Sequence, residues 1–60
     1  MKVAKIFDYD DNVYHYNVQI WNDGVYAGIG KFCKTISEVR AYILSEYCDQ
    51  FFTYTTKLYE

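Results

Sequence analysis

The sequence contains no run of about 18 or more apolar residues, the length that a helix needs to span a bilayer. Its first residues also lack the charged-then-apolar order of a signal peptide. We therefore expect a cytoplasmic protein that has no membrane partner.

The chain has little positive charge. Lys and Arg total 6 against 8 Asp and Glu, which gives a net charge of −2 and an isoelectric point near 5.2. The basic residues are scattered singly, whereas nucleic-acid-binding proteins usually carry a basic stripe that displaces counterions. Nucleic acid is therefore a less expected partner than protein.

Only two cysteines are present, Cys33 and Cys48, and they bracket a predicted helix. A helix of about twelve residues is roughly 18 Å long, whereas a disulfide needs Cα atoms roughly 4.4–6.8 Å apart. We predict two free thiols that act as small buried hydrophobic residues in a reducing compartment.

Residues that carry chemistry are equally sparse. The single histidine, His15, has only Asn17 and Gln19 as near neighbours on its strand face, and one His with two Cys gives too few zinc ligands. The run Gly28-Ile29-Gly30 lacks the third glycine of a nucleotide cradle, and the acidic run from Asp8 to Asn12 lacks the Gly and Glu of a calcium loop. We predict no catalytic residue, no metal, no cofactor and no enzymatic activity.

Sixty residues make one domain, and hydrophobic periodicity divides it into five elements. The predicted elements are strands at Lys2–Asp8, Val13–Trp21 and Val25–Phe32, a helix at about Ile36–Tyr47, and a last strand at Phe51–Tyr59. The fold class is therefore α+β: an antiparallel or mixed sheet of three to four strands, in the order β-β-β-α-β, with one amphipathic helix packed on one face. The last strand either runs parallel to the third through a right-handed crossover or pairs with the first, and both arrangements stay open.

The second strand alternates strictly and is followed by Asp23-Gly24, which predicts a tight hairpin turn. We assign one face of this strand to the core, and it carries Tyr14, Tyr16, Val18 and Ile20. The opposite face points away from the core and carries His15, Asn17, Gln19 and Trp21. The facing of the third strand is ambiguous. Its glycines, Gly28 and Gly30, remove side chains from one face and permit close approach by a helix or a partner.

The helix begins with a capping box in which the Thr35 hydroxyl serves the Glu38 N–H and the Glu38 carboxylate serves the N–H of Thr35. Its apolar stripe, flanked by Leu44 and the stem of Arg40, comprises Ile36, Val39, Ile43 and Tyr47. In the last strand, Phe52, Tyr54 and Leu58 are expected to point inward.

Aromatic residues are the main surplus, with 8 Tyr, 4 Phe and 1 Trp. A sheet and one helix enclose a single core layer, so some rings must remain outside it: Phe7, Tyr9, Trp21, Tyr26, Phe51 and Tyr59. Exposed rings beside carboxylates predict a docking surface for a protein with a basic surface. The candidate partner-binding residues are Tyr9, Asp10, Asp11, Trp21 and Asp23.

Two other functions stay open. Tyrosines on the open sheet face could serve as stacking platforms for single-stranded nucleic acid, which needs fewer basic residues than duplex binding. Alternatively, the exposed rings could pair with those of a second copy in a structural homodimer.

The run YAGIGKFCKTISEV, from Tyr26 to Val39, resembles the strand-then-Thr-x-x-Glu-helix pattern of HicB-type antitoxins and of small bacteriophage proteins that dock on and inhibit host RNA polymerase. It departs from the antitoxins in lacking their Pro-Gly-Cys stretch before the helix. The resemblance transfers no functional residue. It implies a small acidic protein, encoded by a phage or mobile element and active in the host cytoplasm, that inhibits or regulates a nucleic-acid-handling host protein.

Overall fold

The computed structural model describes residues 1–9 and 11–58, and within β4 it describes the side chains as far as Tyr54. In this part of the chain, four strands and one helix form a mixed sheet with the helix on one face, which confirms the predicted α+β fold and its β-β-β-α-β order. The elements are β1 (Lys2–Tyr9), β2 (Tyr16–Asn22), β3 (Val25–Cys33), α1 (Ile36–Ser45) and β4 (Gln50–Leu58).

The spatial order of the strands is β3-β2-β1-β4. β1 pairs antiparallel with β2 and β2 with β3, whereas β4 pairs parallel with β1. The last strand therefore pairs with the first strand while running in the same direction as the third. The connection through α1 carries the chain from one edge of the sheet to the other, so β3 and β4 are both edge strands.

The turn between β2 and β3 is the predicted Asp-Gly hairpin. Asp23 has a φ of 49° and Gly24 a φ of 81°. Positive φ at both central residues is what a type I′ hairpin requires, and Asp and Gly tolerate it better than most residues. The start of α1 is also close to its prediction: Thr35 Oγ1 accepts from the Glu38 N–H at 3.2 Å, but the Glu38 carboxylate accepts from the N–H of Lys34 and not from that of Thr35.

The two glycines inside β3 serve the sheet itself. Gly28 has a φ of 79° and lies where the pairing register of β2 and β3 shifts, between Gln19 and Trp21. A β-carbon on Gly30 would stand 2.6 Å from the carbonyl oxygen of Val18. The close approach that was expected from a helix or a partner is thus made by the backbone of the neighbouring strand.

The core lies between the sheet and α1. Its fully or nearly buried members come from β1, β2, the end of β3 and the helix: Ala4, Ile6, Val18, Ile20, Cys33 and Val39. This confirms the inward facing predicted for Val18 and Ile20. Both cysteines are free, with Cys33 buried and Cys48 half-buried, and burial raises the pKa of both thiols.

Tyr14 was wrongly assigned to the core. β2 begins at Tyr16 instead of Val13, and Tyr14 lies before it with 38% of its surface exposed. The Asp11 carboxylate accepts hydrogen bonds from the N–H groups of Val13 and Tyr14, at 3.0 and 3.2 Å. These bonds hold the backbone in a local turn that competes with the sheet.

Tyr47 was wrongly assigned to the apolar stripe of the helix. α1 ends at Ser45, and Tyr47 follows the cap residue Glu46 with a φ of 55° and 86% of its surface exposed. The N–H of Tyr47 donates to the Leu44 carbonyl and that of Cys48 to the Ile43 carbonyl. This bonding pattern is a Schellman motif, which ends the helix two residues before the predicted end.

The inward facing predicted for Phe52 and Tyr54 is also wrong. Phe52 pairs with Lys5 and Tyr54 with Phe7, on the sheet face opposite the helix. The helix side of β4 is instead occupied by Phe51 and Thr53, which pair with the core positions Ala4 and Ile6. The side chain of Leu58, and residue Tyr59, lie outside the described residues.

Candidate functional site

The sheet face opposite α1 carries a layer of aromatic side chains, because the pairing register brings rings from all four strands to the same side. We call this surface the ring face, and it comprises Phe7, Tyr9, Trp21, Tyr26, Phe32, Phe52 and Tyr54. No helix among the described residues covers it. Four of its members are more than a third exposed: Tyr26, Phe32, Phe52 and Tyr54.

Phe32 is the centre of a three-ring cluster at one end of the ring face. Its ring centroid lies 4.7 Å from that of Tyr9 and 6.0 Å from that of Tyr14. Phe32 still exposes 42% of its surface. Tyr14, which lies outside the core, therefore extends the ring face beyond the start of β2.

A stacked pair of rings lies level with Phe32 along the strands, toward the β4 edge of the ring face. The rings of Phe7 and Tyr54 are 4.9 Å apart and inclined by only 14°. They belong to neighbouring parallel strands and pair directly in the register. The stack joins β1 to β4 on the side that the helix does not cover.

Trp21 lies at the other end and is held on several sides. Its ring is 5.6 Å from that of Tyr26, the Lys5 ammonium lies 3.6 Å from its ring centre, and its Nε1–H donates to Gln19 Oε1 at 3.1 Å. Trp21 is half-buried, whereas Tyr26 is 48% exposed. Tyr26 therefore offers the more accessible ring of the pair.

The two described carboxylates of the predicted site are exposed and have hydrogen-bond partners within the chain. Donation from the N–H groups of Val13 and Tyr14 lowers the pKa of Asp11. The carboxylate of Asp23 pairs with the amino group of Met1, which lowers the pKa of Asp23 and raises that of the amino group. Both carboxylates are thus held in their charged form. Asp10 lies outside the described residues.

The structure does not gather the predicted site residues into one cluster. Tyr9 and Asp11 lie at one end of the ring face, and Trp21 and Asp23 lie at the other. From Val3, which pairs with Trp21, the strand runs roughly 20 Å to Tyr9 at about 3.3 Å per residue. Between the two groups the ring face carries Lys5, Gln19 and Phe52, so Phe52 is the ring that lies between them.

Sequence reasoning placed Phe7 and Tyr26 outside the core but did not assign them to the site, and it missed Phe32, Phe52 and Tyr54. The signal they share is alternate spacing, which places rings of one strand on the same face. Only the register of all four strands shows that these faces lie on the same side of the sheet.

A second apolar surface lies on the helix side. α1 packs mainly on β2 and β3, so a groove of about 510 Å³ remains open beside β1 and β4. Phe51 and Leu44 are 60% and 75% exposed along it, and Asp8 and Arg40 are its charged lining residues.

Among residues 1–9 and 11–58, no group of three or more His, Cys, Asp or Glu side chains is placed to hold a metal ion. Within the same residues, the helix is too short and too polar to cross a membrane. His15 is exposed, and its backbone N–H donates to the Cys33 carbonyl at 3.0 Å.

Comparison of the chain with protein-family models, with curated proteins and with solved structures found no match.

Proposed function

We propose that the protein is a non-enzymatic protein-binding module that docks on its partner through the ring face. The observation that carries this proposal is the set of partly exposed rings on the sheet face opposite α1, which form three clusters with Phe52 between them. Tyr, Trp and Phe are enriched in the cores of protein interfaces, where each covers a large apolar area with little loss of side-chain freedom. Several exposed rings on one face of a small domain indicate a surface that another molecule covers.

The partner is expected to present basic side chains. Asp11 and Asp23 border the ring face at its two ends, and both are charged at neutral pH, as exposed Asp side chains are. Within the chain, Lys5 already lies over the Trp21 ring, and an Arg of a partner can make the same contact with Tyr26 or Phe32. The net charge of −2 favours the same kind of partner.

A nucleic-acid-handling protein fits this description because it carries a basic surface for the phosphate backbone. The resemblance of the run from Tyr26 to Val39 to small inhibitor proteins supports the same class of partner. We therefore propose that the chain inhibits or regulates such a protein in the cytoplasm of a bacterial host by covering part of its basic surface.

The test compares three forms of the protein on beads in a bacterial lysate. The ring-face variant is Tyr26→Ala/Phe32→Ala, and the matched control is Leu44→Ser, which removes an exposed apolar side chain on the helix side. A specific partner is recovered by the wild type and the control and lost by the ring-face variant. Circular dichroism must show that all three are folded.

The recovered partner is then purified and its dissociation constant is measured at increasing salt. Affinity should fall as salt rises, because charge pairing contributes to the contact. Equal recovery of every protein by all three forms, or an affinity that does not respond to salt, would contradict the proposal.

Single-stranded nucleic acid is the second candidate, because rings on an open sheet face are suited to stacking bases. The described basic side chains argue against it. Lys5 lies on the ring face, whereas Lys2 pairs with Glu46 and Lys31 approaches the Tyr42 ring on the helix side. Binding of a labelled oligonucleotide at low salt, lost in the ring-face variant, would favour this function over protein binding.

A further inference from the structure

The two edges of the sheet differ in how well they are protected against pairing with another strand. β3 is interrupted by the left-handed Gly28 and the register shift beside it, and Lys31 and Lys34 follow. Bulges and lysines are devices that keep an edge strand from pairing with another chain. From Gln50 to Tyr54, β4 pairs with β1 without irregularity, and its own register shift and its lysine, Lys57, come only after this segment.

β4 is also apolar on both faces. Phe51 exposes 60% of its surface on the helix side, and Phe52 and Tyr54 expose 48% and 38% on the ring face. The sequence from Gln50 to Thr56 contains no charge and no proline. An uncharged, regularly paired edge segment with exposed rings is a template for the addition of one more strand.

The regular segment of β4, from Gln50 to Tyr54, can pair with its own copy. If two copies run antiparallel with Thr53 opposite its own copy, position 52 of each copy lies opposite position 54 of the other. Phe52 then faces Tyr54 on both sides of the axis, and each of these is an aromatic cross-strand pair.

We propose that the chain forms a homodimer through antiparallel β4–β4 pairing centred on Thr53, which yields a continuous eight-stranded sheet. The two-fold axis is perpendicular to the sheet, so both helices lie on one side and both ring faces join on the other. On the helix side, the groove beside Phe51 meets its copy. This pairing does not depend on the proposed function, because it uses the edge of the sheet and is measured without any other partner.

Analytical ultracentrifugation of the wild type between about 10 µM and about 1 mM tests the pairing first, since that range covers weak and moderate self-association. The wild type should form a dimer. Thr53 is exposed, so Thr53→Lys and Thr53→Glu should fold, but each places two like charges together at the two-fold axis and should weaken the dimer by at least about a hundredfold.

The decisive measurement mixes the two variants in equal amounts. Lysine then faces glutamate at the axis, and a heterodimer should form at concentrations where each variant alone is a monomer. Ile29→Lys adds the same charge to the other edge strand and should leave the dimer intact.

A wild type that stays monomeric throughout the range would overturn the proposal. So would a dimer that both Thr53 variants retain, which would use another surface, or a mixture of the two that fails to associate.

Discussion

Gly30 of β3 lies against Val18 of β2 so closely that a β-carbon at position 30 would stand 2.6 Å from the Val18 carbonyl oxygen. Real β-carbons do not approach a backbone oxygen to this distance, and neither strand can yield without disturbing the ladder beside the register shift. The pairing of the two strands therefore depends on the absence of a side chain at this position.

Gly30→Ala should consequently destabilise the protein. Overpacking of this kind lowers the free energy of unfolding by about 1–3 kcal/mol, which outweighs the small gain from a less flexible unfolded chain. Urea denaturation of the variant measures the change. Ala27→Ser, at an exposed position of the same strand, is the control and should alter stability little. A Gly30→Ala protein as stable as the wild type would show that the strands can separate locally without loss.

Tyr47 adopts a left-handed conformation at the position of a Schellman motif where glycine is favoured. Its side chain is 86% exposed, so little packing is lost if it is removed. Tyr47→Gly should raise the free energy of unfolding by about 0.5–1 kcal/mol, the net of relieved backbone strain and added unfolded-state entropy. Ala41→Gly, inside the helix, should lower it by about 1 kcal/mol. Thermal denaturation of both variants provides the comparison. A fall in stability for Tyr47→Gly would contradict the conclusion that the backbone at Tyr47 is strained.

This helix end illustrates what the sequence could and could not predict. The Asp23-Gly24 turn and the Thr35 cap were predicted correctly because each depends on residues within a span of two to four positions. The end of α1 was placed two residues too late because no glycine marks it. Tyr47 fits the apolar spacing of a helix and carries no local signal of a left-handed backbone.

The facing of β4 depends on distant residues. Phe51 and Phe52 are adjacent, so either could point toward the core, and pairing with Ala4 and Lys5 of β1 decides between them. The sequence left two arrangements of the last strand open, and pairing with β1 was one of them. The local sequence of β4 does not determine which strand it pairs with. The ring face could not be predicted as a surface for the same reason, although the surplus of rings was evident from composition.

The loop before β2 should respond to acid through Asp11. Hydrogen bonds from Val13 and Tyr14 lower its pKa in the folded protein below the ordinary value of 3.8. A lowered folded-state pKa means that the carboxylate stabilises the fold fully above the unfolded-state value and that this contribution is lost as the pH falls through the folded value. The stability difference between the wild type and Asp11→Ala should therefore be present at neutral pH and shrink below about pH 4. Thermal denaturation of both proteins across this pH range measures the stability difference. A difference that stays the same in acid would contradict the conclusion that the charged Asp11 carboxylate stabilises the loop.

The two thiols should differ in reactivity. Cys33 is fully buried and Cys48 is half-buried, and burial raises the pKa of both, so little thiolate forms at neutral pH. Under native conditions iodoacetamide should modify Cys48 slowly and Cys33 more slowly still. In urea both should react at the rate of a free cysteine. Mass spectrometry of proteolytic peptides distinguishes the sites, and faster native modification of Cys33 would be inconsistent with its burial.

The contact between Lys5 and Trp21 can be followed directly, because Trp21 is the single tryptophan of the chain. Lys5→Ala removes both the ammonium and the aliphatic stem that approaches the ring, so the fluorescence emission of Trp21 should shift to longer wavelength as water reaches it. Lys5→Met keeps an apolar stem without the charge and should leave the emission near that of the wild type, while the lost cation–π contact lowers the free energy of unfolding by about 0.5–1 kcal/mol. Equal emission maxima in all three proteins would show that Lys5 does not shield the ring.

Because Tyr26 is next to Trp21, the same emission should also shift to shorter wavelength when a partner covers this end of the ring face, and it should not change with a partner bound elsewhere.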